Sequence, residues 1–217
     1  MPLRSNSAAW VSAWFFVLLL PGAVRAGQTP LSVPLERAGY EKILRRAGVT
    51  VYSYKGSKVL HFAAEGRFAA SPAEVQRALL DYRRQVKHID RLAEVRILKR
   101  RPGSLLVYLR LSPPIISDRD YTLKLRWDER DGVRRILFRT SSGGPAPRKG
   151  VVRVTLNEGS WQLGPIRGGR ATFARYELRM DIAGWVPAWL VRRAAGKELP
   201  DVFAGFDRML ASTRARR

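Results

Sequence analysis

"SDRDYTLKLRW", Ser117–Trp127, decides how the rest of the chain is read. Side chains of a strand alternate, so Arg119, Tyr121, Leu123, Leu125 and Trp127 share one face, and Asp118, Asp120, Thr122, Lys124 and Arg126 share the other. The first face is apolar except at Arg119. A guanidinium on a core face is costly unless it is paired or the core is a cavity with something polar inside it. Asp118 and Asp120 bracket Arg119 but point to the opposite face, where they read as surface acids.

The same alternation recurs on both sides. Leu105, Val107, Leu109 and Leu111 form one apolar face, and Tyr176, Leu178, Met180 and Ile182 another. "AEVRILKR", "VRRILFRT", "VVRVTL" and "SWQLGPI" are also strand-like. The separators are Arg101-Pro102-Gly103, Ser112-Pro113-Pro114, Asp131-Gly132, "SSGGPAPRKG", Asn157-Glu158-Gly159 and Arg167-Gly168-Gly169. Such short turns make an antiparallel meander large enough to curl round a helix or a cavity. A filled core and a lined cavity write the same pattern. Tyr121 and Tyr176, apolar bodies with polar tips, suit either.

Toward the N-terminus, "PLERAGYEKILRRAG", Pro34–Gly48, carries Leu35, Ile43, Leu44 and Ala47 at loosely helical spacing and predicts a short first helix. "VTVYSY" and "KVLHFAAEGRF" predict a hairpin. Ser71 as N-cap, Pro72 at the first helical position and Glu74 closing a capping box predict a helix with Val75, Ala78, Leu79, Tyr82 and Val86 on one stripe. The C-terminal stretch Val186–Leu210 predicts a long helix with Pro200 as a kink or a second start. The sum is α+β: a curved antiparallel sheet wrapped around a C-terminal helix.

Residues 1–26 stand apart. Arg4, an apolar run from Ala8 to Leu20, the breaker Pro21-Gly22 and the small-x-small site Val24-Arg25-Ala26 predict an export signal, with residues 27–217 as one domain in the periplasm or outside the cell. The run is shorter than the roughly 20 residues that span a bilayer. Removing residues 1–26 takes two arginines and no acid from a chain of net charge +22. The remaining excess favours anionic surfaces, although arginine spread along the chain is also what a GC-rich genome encodes. With no cysteine, disulfides and thiol catalysis are excluded. The two histidines, His61 and His88, lack metal-ligand spacing, and there is no GxSxG, phosphate loop or dinucleotide turn. No metal site and no cofactor are expected.

With "SDRDYTLKLRW" stand "EGSWQLGPI" and "DIAGWVPAW". Together they resemble the S-x-R-D-aromatic signature, the glycine–tryptophan strand and the D-x-G-G-x-[IL]-P turn of START domains, the lipid-transfer family within the helix-grip, Bet v 1-like superfamily. The resemblance runs from about Leu35 to Leu210. It implies one hydrophobic tunnel for a single lipid, opened at a membrane by the last helix and adjacent loops. Arg119 matches the tunnel arginine that pairs, in sterol-binding relatives, with an acid from the neighbouring strand. Here that strand, "SLLVYLRLSPP", offers none, so Arg119 is left to meet an anionic or hydroxylated headgroup or to turn outward near the rim. Asp181, Gly184 and Pro187 match the turn into the last helix.

The ligand-binding residues expected on this basis are Arg119, Tyr121, Leu123 and Leu125 from one strand, Tyr108 and Trp161 from its neighbours, and Tyr176, Leu178 and Met180 from the last strand. Val191, Leu199, Val202, Phe203 and Phe206 are the candidates on the lid helix. The expected activity is non-enzymatic binding and transfer of a phospholipid, sterol or hopanoid-like ligand by a monomer that touches an anionic membrane transiently. The alternative is a polyketide cyclase or dehydratase using Arg119, Tyr121 or Tyr176. Nucleic acid, suggested by charge alone, lacks a clustered basic tract and is not an expected partner.

Overall fold

A computed structural model describes residues 29–57, 59–113, 116–181 and 188–215; for 188–195 and 197 it describes the backbone alone. The export signal at 1–26, the turn residues Gly184 and Pro187, and the Val191 side chain lie outside the described residues. In chain order the elements are a 3-10 turn at Leu35–Ala38, strands β1 (Tyr40–Arg46), β2 (Val49–Tyr54) and β3 (Leu60–Phe68), and helices α1 (Pro72–Leu80) and α2 (Tyr82–Gln85). Strands β4 (Leu92–Arg101), β5 (Ser104–Leu111), β6 (Arg119–Arg130), β7 (Val133–Thr140), β8 (Val152–Arg153), β9 (Leu156–Ile166) and β10 (Ala171–Asp181) follow. Helix α3 (Ala188–Arg214) ends the fold.

One sheet runs in the order β1-β2-β3-β10-β9-β7-β6-β5-β4, antiparallel throughout, with β8 alongside β6 in parallel. Its apolar face packs on α1 and α3 in one core that includes Val51, Phe68, Val75, Leu79, Leu123, Leu163, Phe203 and Met209. This is the α+β helix-grip architecture.

Three expectations change. The predicted first helix is a single 3-10 turn ended at Gly39 (φ 89°), and Tyr40–Arg46 is an edge strand. Its register with β2 shifts between Lys42 and Leu44, so a bulge breaks the period of two and sets Ile43 and Leu44 at a spacing that mimics a helix. The predicted helix from Ser71 has its capping box, with Ser71 Oγ accepting from Glu74 N at 3.4 Å and Glu74 Oε2 accepting from Ser71 N at 3.1 Å. It breaks at Asp81, whose carboxylate caps Arg84 N at 3.3 Å and starts α2. The expected turn Asn157-Glu158-Gly159 is instead strand, inside β9.

Helix α3 runs through Pro200. It is held at its C-terminal end by Arg84, which donates to Ser212 Oγ and Thr213 Oγ1 at 2.8 Å each and to Met209 O at 3.3 Å. These bonds satisfy carbonyl and hydroxyl groups of the last turns with a cation, which the helix dipole also favours. Gly66 lets α3 lie close on the sheet, since a Cβ there would sit 2.7 Å from the Phe203 ring.

Candidate ligand cavity

Between the sheet, α1–α2 and α3 lies a cavity of about 430 Å³. Its wall is apolar: Leu109 and Leu111 from β5, Leu123 and Leu125 from β6, Ile136 and Phe138 from β7, Leu178 and Met180 from β10, and Leu199, Val202 and Phe206 from α3. Trp161, Tyr176 and Phe206 add an aromatic part to that wall. Trp161 stands 4.6 Å from Tyr176, 5.2 Å from Phe203 and 5.9 Å from Phe206, ring centre to ring centre.

Alternation along β6 puts Arg119 and Tyr121 on this wall with the leucines. Arg119 is 6 % exposed. Its Nη1 donates to the Ser117 carbonyl, and its Nε is buried with no partner. Burial alone pushes its guanidinium below the usual value, with no carboxylate contributing. Asn157 of β9, on the cavity wall and 4 % exposed, has an unpartnered Oδ1. Burial pushes the Tyr121 phenol up to about 12, opposed by the Asn157 amide beside it. The phenols of Tyr176 and Tyr82 are pushed up as well, first by burial and then by neighbouring phenols. A guanidinium, an amide and three phenols therefore add polar groups to an otherwise greasy wall. An orphaned buried donor and acceptor cost free energy until something in the cavity bonds them.

The rim is charged. Asp90, Arg91, Glu198 and Asp201 border the cavity, and two ion pairs, Arg91 Nη1–Glu198 Oε1 at 3.1 Å and Arg46 Nη2–Asp201 Oδ1 at 3.0 Å, tie α3 to the loop before β4 and to β1.

Of the residues expected at the site, Arg119, Tyr121, Leu123, Leu125, Trp161, Tyr176, Leu178, Met180, Leu199, Val202 and Phe206 line the cavity. Two do not. Phe203, 2 % exposed, stacks on Phe68 at 5.3 Å behind the aromatic wall. Tyr108 is on the other face of β5, where its hydroxyl donates to Asp120 Oδ2 at 3.0 Å, because even-numbered residues of that strand point away from the cavity. Asp120 is no surface acid either: it is 1 % exposed and holds Arg153 through bonds of 2.5 and 3.0 Å beneath the segment leading to β8. Sequence reasoning missed Asn157, placed in a turn, and Tyr82, assigned only to a helix stripe. For Tyr82 the stripe was the available signal, since it already pointed the ring at the sheet. Among the described residues no group of three histidines, cysteines or carboxylates could hold a metal.

No family model matches the sequence. An uncharacterized protein of Pseudomonas aeruginosa is 27% identical over 150 residues, which cover 66% of this chain and 72% of that protein. The fold is similar to that of the STAR-related lipid transfer protein of Xanthomonas axonopodis, with a TM-score of 0.72 and 22% identity over 80% of this chain and 99% of that structure. It is also similar to human StAR-related lipid transfer protein 5, with a TM-score of 0.71 and 16% identity over 82% of this chain and 88% of that structure. These likenesses show the helix-grip fold of START domains.

Proposed function

We propose that this START-fold chain is a carrier that takes one hydrophobic ligand into the cavity beneath α3 and moves it between membranes, without covalent chemistry. The observation that carries the reading is the cavity itself: about 430 Å³ of apolar space with two orphaned polar atoms, Arg119 Nε and Asn157 Oδ1. Apolar guests bind such a space because each methylene removed from water contributes about 0.8 kcal/mol before ordering costs. The lipid-transfer proteins whose fold it shares support the same reading.

Transfer requires the rim to part. The pairs Arg91–Glu198 and Arg46–Asp201 are partly exposed, so each contributes little to stability and lets α3 swing from the sheet. The basic excess, +20 once residues 1–26 with their two arginines are removed from a chain of net charge +22, would hold the protein on an anionic leaflet meanwhile, at about 1 kcal/mol for each basic residue at the surface. Residues 1–26 suit export, so the membranes served are those facing the periplasm or the exterior.

The test uses donor vesicles of phosphatidylglycerol and phosphatidylethanolamine holding a fluorescent single-chain lipid, and unlabelled acceptors. The protein should speed transfer well above the spontaneous rate, and 0.5 M salt should slow it by screening the surface attraction. Transfer no faster than in protein-free controls contradicts the proposal.

A further inference from the structure

The carrier reading leaves open what kind of headgroup enters the cavity, and Arg119 bears directly on that. Its Nη1 is anchored by the Ser117 carbonyl while Nε is buried and unpartnered, so the guanidinium is fixed in orientation with one edge unused. That edge, Nε with the adjacent Nη2, is one of the faces on which a guanidinium receives a carboxylate through two parallel bonds. No carboxylate contributes to its electrostatics. The lining acids, Asp90, Glu198 and Asp201, stand on the rim, where Glu198 and Asp201 hold Arg91 and Arg46. The segments outside the described residues contain no aspartate or glutamate that could compensate it.

A buried cation without a counter-ion is unfavourable, and a guest that brings the counter-charge gains what the protein lacks. A sterol or alcohol hydroxyl offers Arg119 a hydrogen bond and no charge. A quaternary ammonium head is repelled by it. The space is also small: about 430 Å³ lies near the lower end of ligand pockets, which suits one acyl chain or one fused-ring body and not a two-chain phospholipid.

Resting on the carrier reading, we propose that the cavity selects single-chain or ring-based carboxylic acids, with the ionised carboxylate on the Nε edge of Arg119 and the hydrocarbon along the leucines of β5 and β6. Charge-assisted bonds to a buried partner contribute enough to favour an acid over its neutral analogue by about ten-fold or more.

The experiment measures binding of hexadecanoate, hexadecanol and methyl hexadecanoate to the full chain at neutral pH by displacement of a fluorescent apolar probe. Hexadecanoate should bind at least about ten-fold more tightly than the two neutral analogues, and in Arg119→Gln that preference for the acid over hexadecanol should disappear. Should that variant not fold, carboxyl-labelled hexadecanoate bound to the unaltered protein decides by NMR. Its carboxyl should stay ionised below the usual carboxyl range of about 4. Equal affinity for acid and alcohol, or a bound carboxyl that titrates at or above that range, overturns the carboxylate assignment and leaves the carrier reading standing. Failure of all three to displace the probe overturns both.

Discussion

At Glu94 three arginines meet one carboxylate on the face of the sheet away from the cavity. Arg96 Nε donates at 2.6 Å, Arg148 Nη1 at 2.8 Å and Arg110 Nε at 3.1 Å. Burial pushes the Glu94 carboxyl up, but these bonds outweigh it and hold it at about 2. A carboxyl lowered by folding contributes stability that is fully present above its unfolded value, about 4.5, and is lost as pH falls toward 2. Glu94→Gln should therefore melt at a lower temperature at pH 7, and its midpoint should decline less steeply than that of the unaltered chain between pH 4.5 and pH 2. Thermal melts across that range check both. The same cluster explains Tyr108. Arg96 and Arg148 lie 5.8 and 5.7 Å from its ring centre, so its tip and its face are both occupied by the outer network and not by a ligand.

Elements meet here through glycines as much as through large side chains. A Cβ on Gly66 would lie 2.7 Å from the Phe203 ring and 3.3 Å from Val49 Cγ2, so Gly66→Val must push α3 off β3. The expected loss is about 1–3 kcal/mol in denaturant unfolding. Gly143→Ala, where nothing lies closer than 3.5 Å and φ is ordinary, should leave stability unchanged. At this scale the sequence was partly legible. Strands β5, β6, β7 and β10, helix α1 and the C-terminal helix follow from alternation, capping residues and apolar spacing. Strand β1 was not, because its bulge writes Ile43 and Leu44 side by side as a helix would. Nor was Asn157, because Asn-Glu-Gly has turn composition, while its place is set by pairing with Met180 across β9 and β10. That pairing joins residues distant in sequence, and no local pattern records it.

For the molecule as a whole, one face of the sheet holds the cavity and the other holds buried polar groups, which alternation assigns to solvent. Glu177 alternates with Tyr176 and Leu178 and so points away from the cavity, yet it is fully buried, because the N-terminal segment covers it. Thr29 N and Tyr40 Oη each donate to it at 3.0 Å, and Thr29 Oγ1 donates at 3.1 Å. Burial pushes its carboxyl up, and those bonds oppose the shift. The apolar pattern could therefore say which residues face inward, but not that the other face is also covered, nor that space remains between the inward residues and α3. Carriage of a guest depends on that space.

Trp161 on the cavity wall gives the most direct measurement of it. Titration of the full chain with 9,10-dibromooctadecanol should quench tryptophan emission saturably at one guest per chain. Unbrominated octadecanol should relieve the quenching, and Trp161→Phe should lose most of it. Quenching that never saturates, or that is the same in Trp161→Phe, would mean that the guest stays outside and that the fold encloses no ligand.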